Sequence, residues 1–222
     1  MTRDANLKVR VKSAKGRKLS STRWLERQLN DPFVREANRL GYRSRAAFKI
    51  QEIHEKFNIF QPGQCVLDLG AAPGGWSQIA AQYVNKGQRG QVLAVDILPI
   101  NSLSEVDSMQ LDIFQEDSLD LIKAKMIKPE ADIILSDMAP STTGHKSTDH
   151  LRIIALLENA LDITENLLAD GGVFVGKVFR GGTESDILKR MKIKFQNVRH
   201  IKPKSSRANS TELYVVGLNY RK

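Results

Sequence analysis

Asp68, Asp96, Asp112, Asp137 and Lys177 each stand at or near the end of a short apolar run. If those runs are parallel strands, the five side chains gather beyond the strand ends, where open α/β sheets bind their ligands. Asp68 also opens the segment Asp68-Leu69-Gly70-Ala71-Ala72-Pro73-Gly74-Gly75-Trp76. Cys65-Val66-Leu67 leads into it as a buried strand, and residues 77–84 lead out with helical spacing. The segment is therefore a tight turn that ends at a helix N-terminus. Its small residues let backbone come close to a ligand, and the free N–H groups of the helix start offer donors.

The turn excludes two common ligands. A phosphate-gripping loop ends in Gly-Lys-Ser/Thr, whereas this one ends in Gly75-Trp76-Ser77. A dinucleotide fingerprint needs glycine two residues after Gly70, where the chain has Ala72. Asp68 would repel a pyrophosphate and suits a cation. S-adenosylmethionine fits, because it carries a sulfonium, an amino group and an adenosine, and no phosphate. Asp96 closes Val92-Leu93-Ala94-Val95 and can accept from both ribose hydroxyls. Asp112 can accept from the adenine amino group, or can be a cap or loop acid. Asp137 follows Ile133-Ile134-Leu135-Ser136 and is placed to face the methyl donor; the plainer reading is a turn-forming Asp ahead of Pro140. Lys177 lies inside Val173-Phe174-Val175-Gly176-Lys177-Val178-Phe179, where an unpaired ammonium is costly. Asp137, on the neighbouring strand, is its expected partner; a snorkelling edge lysine is the alternative. Glu212 begins the apolar run Leu213-Tyr214-Val215-Val216, and a solvent-facing strand residue explains it equally well.

Positioning these groups takes a particular frame. Strands are expected near 65–69, 91–96, 109–111, 132–137, 172–178, 197–201 and 211–218. Helices are expected near 75–85, 117–126, 149–169 and 183–194. Such alternation predicts an α/β fold, a mostly parallel seven-stranded sheet with helices on both faces. The last two strands are close in sequence, so an antiparallel edge is expected there. Upstream, Trp24, Leu25, Leu29, Phe33, Ala37 and Leu40 fit one or two helices, with Asn30-Asp31-Pro32 as a break and restart. Ser44 is expected to cap another helix whose stripe is Ala46, Ile50, Ile53 and Phe57. Lys49 lies at the edge of that stripe, about 60° from Ala46. Residues 1–20 read as a flexible basic arm. Residues 21–222 read as one domain, with a helical extension over about 21–60.

Charge divides the chain in three. The net charge is +9 over residues 1–56, −9 over 57–170 and +9 over 171–222. The acidic middle holds the turn, and the basic ends could share one face that grips a polyanion. Cys65 is the one cysteine, which points to a reducing compartment. No run is apolar for long enough to span a membrane, and Met1-Thr2-Arg3-Asp4 lacks the apolar region of a secretory signal. Residues 5–25 are basic without an acid, so an organellar presequence is an alternative to a cytoplasmic protein. A monomer is expected.

Asp-Leu-Gly-Ala-Ala-Pro-Gly-Gly-Trp-Ser, Ser136-Asp137-Met138-Ala139-Pro140, Gly176-Lys177-Val178-Phe179 and Ser205-Ser206-Arg207-Ala208 together closely resemble the RrmJ/FtsJ-type RNA ribose 2′-O-methyltransferases. Arg43-Ser44-Arg45-Ala46-Ala47-Phe48-Lys49 and Ser21-Thr22-Arg23-Trp24-Leu25 match as well, so the resemblance runs from about residue 20 to the end. Ala47 stands where many members carry tryptophan. The resemblance implies the Rossmann-like fold of class I S-adenosylmethionine-dependent methyltransferases. It also implies a catalytic tetrad, Lys49, Asp137, Lys177 and Glu212. It places cofactor contacts at Gly74, Trp76, Asp96, Asp112 and Asp137, with S-adenosylhomocysteine as product and no metal. The implied substrate is a uridine ribose in 23S rRNA within the large ribosomal subunit. A methyltransferase for the tRNA anticodon loop and a non-catalytic ribosome-assembly factor are the rivals.

Overall fold

The computed structural model describes residues 9–11, 16, 19–140, 146–179, 184–208 and 210–222. Strand β1, Cys65–Leu69, is buried at every position, as a central strand of a parallel sheet covered on both faces is, and Asp68 is its one charged residue. It lies between β2, Gln91–Asp96, and β4, Ala131–Ser136, and pairs parallel with both. With β3 (Asp107–Gln110), β5 (Leu168–Phe179), β6 (Phe195–Ile201) and β7 (Glu212–Tyr220), they form one sheet in the order β3-β2-β1-β4-β5-β7-β6. The strand order reverses between β1 and β4, which opens a ligand crevice at their carboxyl ends. The antiparallel pairing falls at the expected side of the sheet. The reversed strand is β7, which inserts between β5 and β6.

Alternation along the strands sorts the core into two layers. Val66, Ile133, Leu135, Val175, Tyr214 and Val216 pack on one face with helices α3, Ala47–Phe57, and α4, Gly75–Val84. Leu67, Leu93, Ile134, Phe174 and Val215 pack on the other. That face is covered by α5, Ser118–Lys125, α6, Lys146–Leu167, and α7, Glu184–Lys194. Ala47 is fully buried in the first layer.

The N-terminal segment makes two helices, α1, Leu19–Leu29, and α2, Pro32–Leu40. The break expected at Asn30-Asp31-Pro32 is real. Asp31 caps α2 by accepting from Phe33 N at 3.0 Å, Pro32 takes the first helical position, and Gly41 ends the helix at φ +70°. Ser44 differs from expectation. Ala46 is the N-cap residue of α3 without a side-chain bond, while Ser44 Oγ accepts from Ala46 N at 3.2 Å. A serine two residues earlier shapes the entry turn instead of capping it. Strand β3 starts two residues earlier than its apolar run, because the edge strand needs backbone partners more than apolar side chains. The arm expected over 1–20 lies largely outside the described residues. Within it, Val9 N donates to Asn30 Oδ1 and Val9 O accepts from Asn30 Nδ2, both at 2.8 Å. Among the described residues no helix is long and apolar enough to cross a membrane.

Candidate active site

The crevice at the carboxyl ends of β1 and β4 holds a cavity of about 500 Å³ lined by Asp96, Asp112, Asp137, Ile97, Phe114 and Met138, among others. Its floor is backbone. Gly70 has φ +72°, and a Cβ there would stand 2.3 Å from Met138 Cγ, so both conformation and space require glycine. Asp96 Oδ2 accepts from Ala72 N at 2.8 Å and Oδ1 from Leu98 N at 2.8 Å, which fixes the carboxylate at the rim. Asp112 is a loop acid that also faces the cavity. It lines the cavity, and its Oδ1 accepts from Phe114 N at 3.0 Å in a loop turn.

A smaller recess continues from this cavity and is lined by Asp68, Gly70, Ala72, Trp76 and Asp137, among others. Asp68 is fully buried. Ser77 Oγ donates to its Oδ2 at 2.6 Å, and Oδ1 has no protein partner. Burial pushes this carboxyl up to about 7, against the Ser77 hydrogen bond and with help from the charges of Asp137 and Asp96. A buried acid with an unused oxygen is a receptor for a cationic donor. The set fits S-adenosylmethionine: an acid-rimmed, partly apolar cavity for a nucleoside, joined to an acidic recess for its charged tail. Gly74 lines neither space. At φ +106° it is the N-cap residue of α4, and a Cβ on it would meet Leu103 Cδ1 at 2.4 Å. Trp76 lines the recess and donates from Nε1 to Ala46 O at 2.9 Å, tying α4 to the start of α3.

Beside the recess, four charged side chains converge from three elements and one loop. Lys177 Nζ contacts Asp137 Oδ1 at 2.8 Å and donates to Asp137 O at 2.7 Å. Lys49 Nζ stands 3.2 Å from Glu212 Oε2 and 3.9 Å from Asp137 Oδ2. Register explains the meeting. Ser136 pairs with Gly176, so Asp137, one residue past the end of β4, lies beside Lys177 on β5. Lys177 pairs with Tyr214 across β5 and β7, and Glu212 lies two residues before Tyr214 on the same face. Lys49 reaches them from the first turn of α3, which covers that face. The lysine and carboxylate side chains are 8–17% exposed. Such desolvation is costly unless each charge is matched, and here two ammonium groups face two carboxylates.

Tyr214 joins this cluster without having stood out in the sequence. Its hydroxyl donates to Asp137 Oδ1 at 2.6 Å and accepts from Lys49 Nζ at 2.9 Å, which links the two halves of the cluster. Lys49 Nζ also lies 5.5 Å from the Tyr214 ring centroid, and the ring packs on Trp76 at 5.4 Å between centroids. The available signal was the spacing Glu212-x-Tyr214, which puts both side chains on one strand face. Burial, followed by the charges of Asp137 and Glu212, raises the Tyr214 phenol well above its ordinary range, so it stays a donor. Burial alone would raise Asp137. The Lys177 and Lys49 charges and the hydrogen bonds from Lys177 and Tyr214 outweigh it and hold this carboxyl below its ordinary range.

Lys49 and Glu212 also line a second cavity of about 420 Å³, together with Arg27, Arg45, Arg207 and Ser210. The two basic ends of the chain therefore do meet at one place. The charged cluster stands between an acidic cavity and an arginine-lined one, and all four expected catalytic residues belong to it.

Residues 42–220 match the family model described as FtsJ-like methyltransferase. A Paramagnetospirillum magneticum protein named Ribosomal RNA large subunit methyltransferase E is 54% identical over 220 residues, 97% of this chain and 89% of the relative. A Rickettsia bellii protein of the same name is 49% identical over 214 residues, 95% of this chain and 94% of the relative. Among solved structures, a Plasmodium falciparum protein described as a ribosomal RNA methyltransferase superposes with a TM-score of 0.72 at 29% identity, covering 81% of this chain and 98% of its own. With the sheet order and the glycine turn, these matches place the chain in the FtsJ-like methyltransferase family.

Proposed function

We propose that this methyltransferase moves a methyl group from S-adenosylmethionine to the ribose 2′-hydroxyl of a uridine in the 23S rRNA of the large ribosomal subunit. The observation that carries the reading is the Lys49–Asp137–Lys177–Glu212 cluster standing between the acid-lined cavity and the arginine-lined one. The rRNA substrate is supported by the names of relatives at about half identity.

Asp96 and Asp112 would hold the nucleoside of the cofactor, and Asp68 its cationic tail. When bound there, the cofactor supplies a methyl group on a positively charged sulfur. A ribose hydroxyl is a weak nucleophile until its proton leaves. An amine can take that proton once it has given up its own. Lys177 is the proton acceptor in this reading. Asp137 orients it through Oδ1 and its main-chain carbonyl. Lys49 supplies the neighbouring positive charge and is steered by Glu212 and Tyr214. The largest part of the rate enhancement would come from holding the ribose hydroxyl in place beside the bound cofactor. The helical extension and the loop before β7 bring Arg27, Arg45 and Arg207 to the RNA backbone. Phosphate contacts position the strand without reading bases, so the choice of nucleotide rests on RNA shape and ribosomal context.

The test is transfer of labelled methyl to undermethylated large ribosomal subunits and to unmodified tRNA, followed by nuclease digestion. Label on a uridine 2′-oxygen of 23S rRNA is expected. Label on tRNA alone would overturn the substrate. Tight binding to precursor subunits without transfer would favour an assembly factor.

A further inference from the structure

Asp31 does more than cap a helix. Its side chain is 8% exposed, and its Oδ1 makes the cap to Phe33 N. Its Oδ2 accepts from Arg45 Nη1 and lies 3.4 Å from Arg207 Nε. Arg45 in turn donates from Nη2 to the Ser205 carbonyl and packs over the Phe33 ring, 5.6 Å from its centroid. Glu52 of α3 accepts from Lys204 N at 2.5 Å and Ser205 N at 2.8 Å. The loop that carries Arg207 is thus fastened to α2 and α3. Both arginines line the 420 Å³ cavity beside Lys49 and Glu212.

An N-cap needs one oxygen acceptor, and asparagine or serine supplies it as well as aspartate. The cap therefore leaves the second oxygen and the charge unexplained. Two guanidinium groups brought together repel, and each free arginine side chain samples many rotamers that binding must freeze. A shared carboxylate removes the repulsion and fixes both before any ligand arrives, which lowers the ordering cost of binding. The cavity still favours an anion, because Arg27, Arg45, Lys49 and Arg207 outnumber Glu212 along its wall.

We propose that Asp31 is a positioning residue for the substrate: it sets Arg45 and Arg207 as a pair that takes one RNA backbone phosphate next to the acceptor ribose. The proposal rests on the RNA-methylating function argued above. It makes a prediction opposite in sign to simple electrostatics. Neutralising Asp31 makes the cavity more positive, so charge by itself predicts tighter RNA binding, whereas loss of positioning predicts weaker binding.

The experiment is steady-state methyl transfer by the full chain to undermethylated large ribosomal subunits, comparing wild type with Asp31→Asn, which keeps the cap. KM for subunits is expected to rise about tenfold, the scale of one well-placed charge-assisted contact. The value of kcat should stay within about twofold, and affinity for S-adenosylmethionine should not change, because neither the cluster nor the acidic cavity is touched. Arg207→Ala, on a partly exposed loop side chain, should raise KM likewise, and the double variant should lose less than the product of the two. A KM unchanged or lowered by Asp31→Asn would overturn the proposal. So would a parallel fall in kcat, cofactor affinity and melting temperature, which marks a purely structural role. So would an unchanged KM in Arg207→Ala, should Asp31→Asn fail to fold. If wild type transfers no methyl to any RNA, the functional reading falls, and this inference with it.

Discussion

Replacing Tyr214 by phenylalanine removes one oxygen atom and leaves the ring against Trp76. That oxygen donates to Asp137 at 2.6 Å and accepts from Lys49 at 2.9 Å. Without it, Asp137 keeps Lys177 at 2.8 Å and Lys49 keeps Glu212 at 3.2 Å. The two halves then communicate through the 3.9 Å separation of Lys49 Nζ and Asp137 Oδ2, too long for a hydrogen bond. Hydrogen bonds to charged groups contribute about 1.5–3 kcal/mol each. Because neither partner is left wholly alone, the net cost should fall near the value for one bond, about 2–3 kcal/mol. For a chain of this size that corresponds to a melting temperature lower by roughly 4–12 °C. Lys49 loses its tether to Asp137, so kcat should fall about 10- to 100-fold, or ~1.4–2.7 kcal/mol in the barrier. Affinity for S-adenosylmethionine should hold, since Tyr214 does not line the nucleoside cavity. Calorimetric melting and single-turnover methyl transfer read the two effects separately. A Tyr214→Phe protein with wild-type melting temperature and rate would show that the phenol does not join the cluster's halves.

Four further outcomes follow from the same geometry. Asp68 holds its proton up to about pH 7 in the folded, cofactor-free chain. The unfolded carboxyl loses it in the ordinary range near 4. The folded state therefore binds more protons between those values, and its stability should fall as pH rises through that window. Melting scans should show this decline, and Asp68→Asn should flatten it. The same carboxyl must ionise to receive a cation, so affinity for S-adenosylmethionine should strengthen from pH 6 to pH 8 with proton release. Equal heats in buffers of different ionisation enthalpy would contradict that. Gly70→Ala forces a side chain at φ +72° against Met138, and it should weaken cofactor binding more than tenfold in a titration, with a lower melting temperature. RNA affinity should drop steeply with salt, and Arg207→Ala should reduce the logarithmic slope by about one; an unchanged slope would remove Arg207 from the phosphate contacts.

The parts of the site that lie along neighbouring parallel strands were legible in the sequence. Asp68, Asp96 and Asp137 follow apolar runs, and the fold rule for strand ends places them together. Lys177 stood out because a lysine in an apolar strand requires a partner. Lys49 and Glu212 were only weakly marked, because 163 positions separate them and their meeting depends on how α3 lies on the sheet. Tyr214 read as an ordinary strand aromatic, since its ring is core and only its hydroxyl meets the charged cluster. Asp31 read correctly as a helix restart, a local signal. Its two arginines come from 14 and 176 positions away, and no local pattern announces them. Ser44 shows the limit of capping signals: the residue type was right for a turn, and the turn lay two positions from the helix.

The proposed role of Lys177 is to act on the hydroxyl and not on the cofactor. Its most direct test is single-turnover methyl transfer from S-adenosylmethionine to undermethylated large subunits by wild type and Lys177→Met, with cofactor affinity measured on both. The rate is expected to be at least about a thousandfold lower in the variant, within the range for loss of a positioned general base, with a cofactor Kd within about threefold of wild type. A Lys177→Met rate within tenfold of wild type would contradict it.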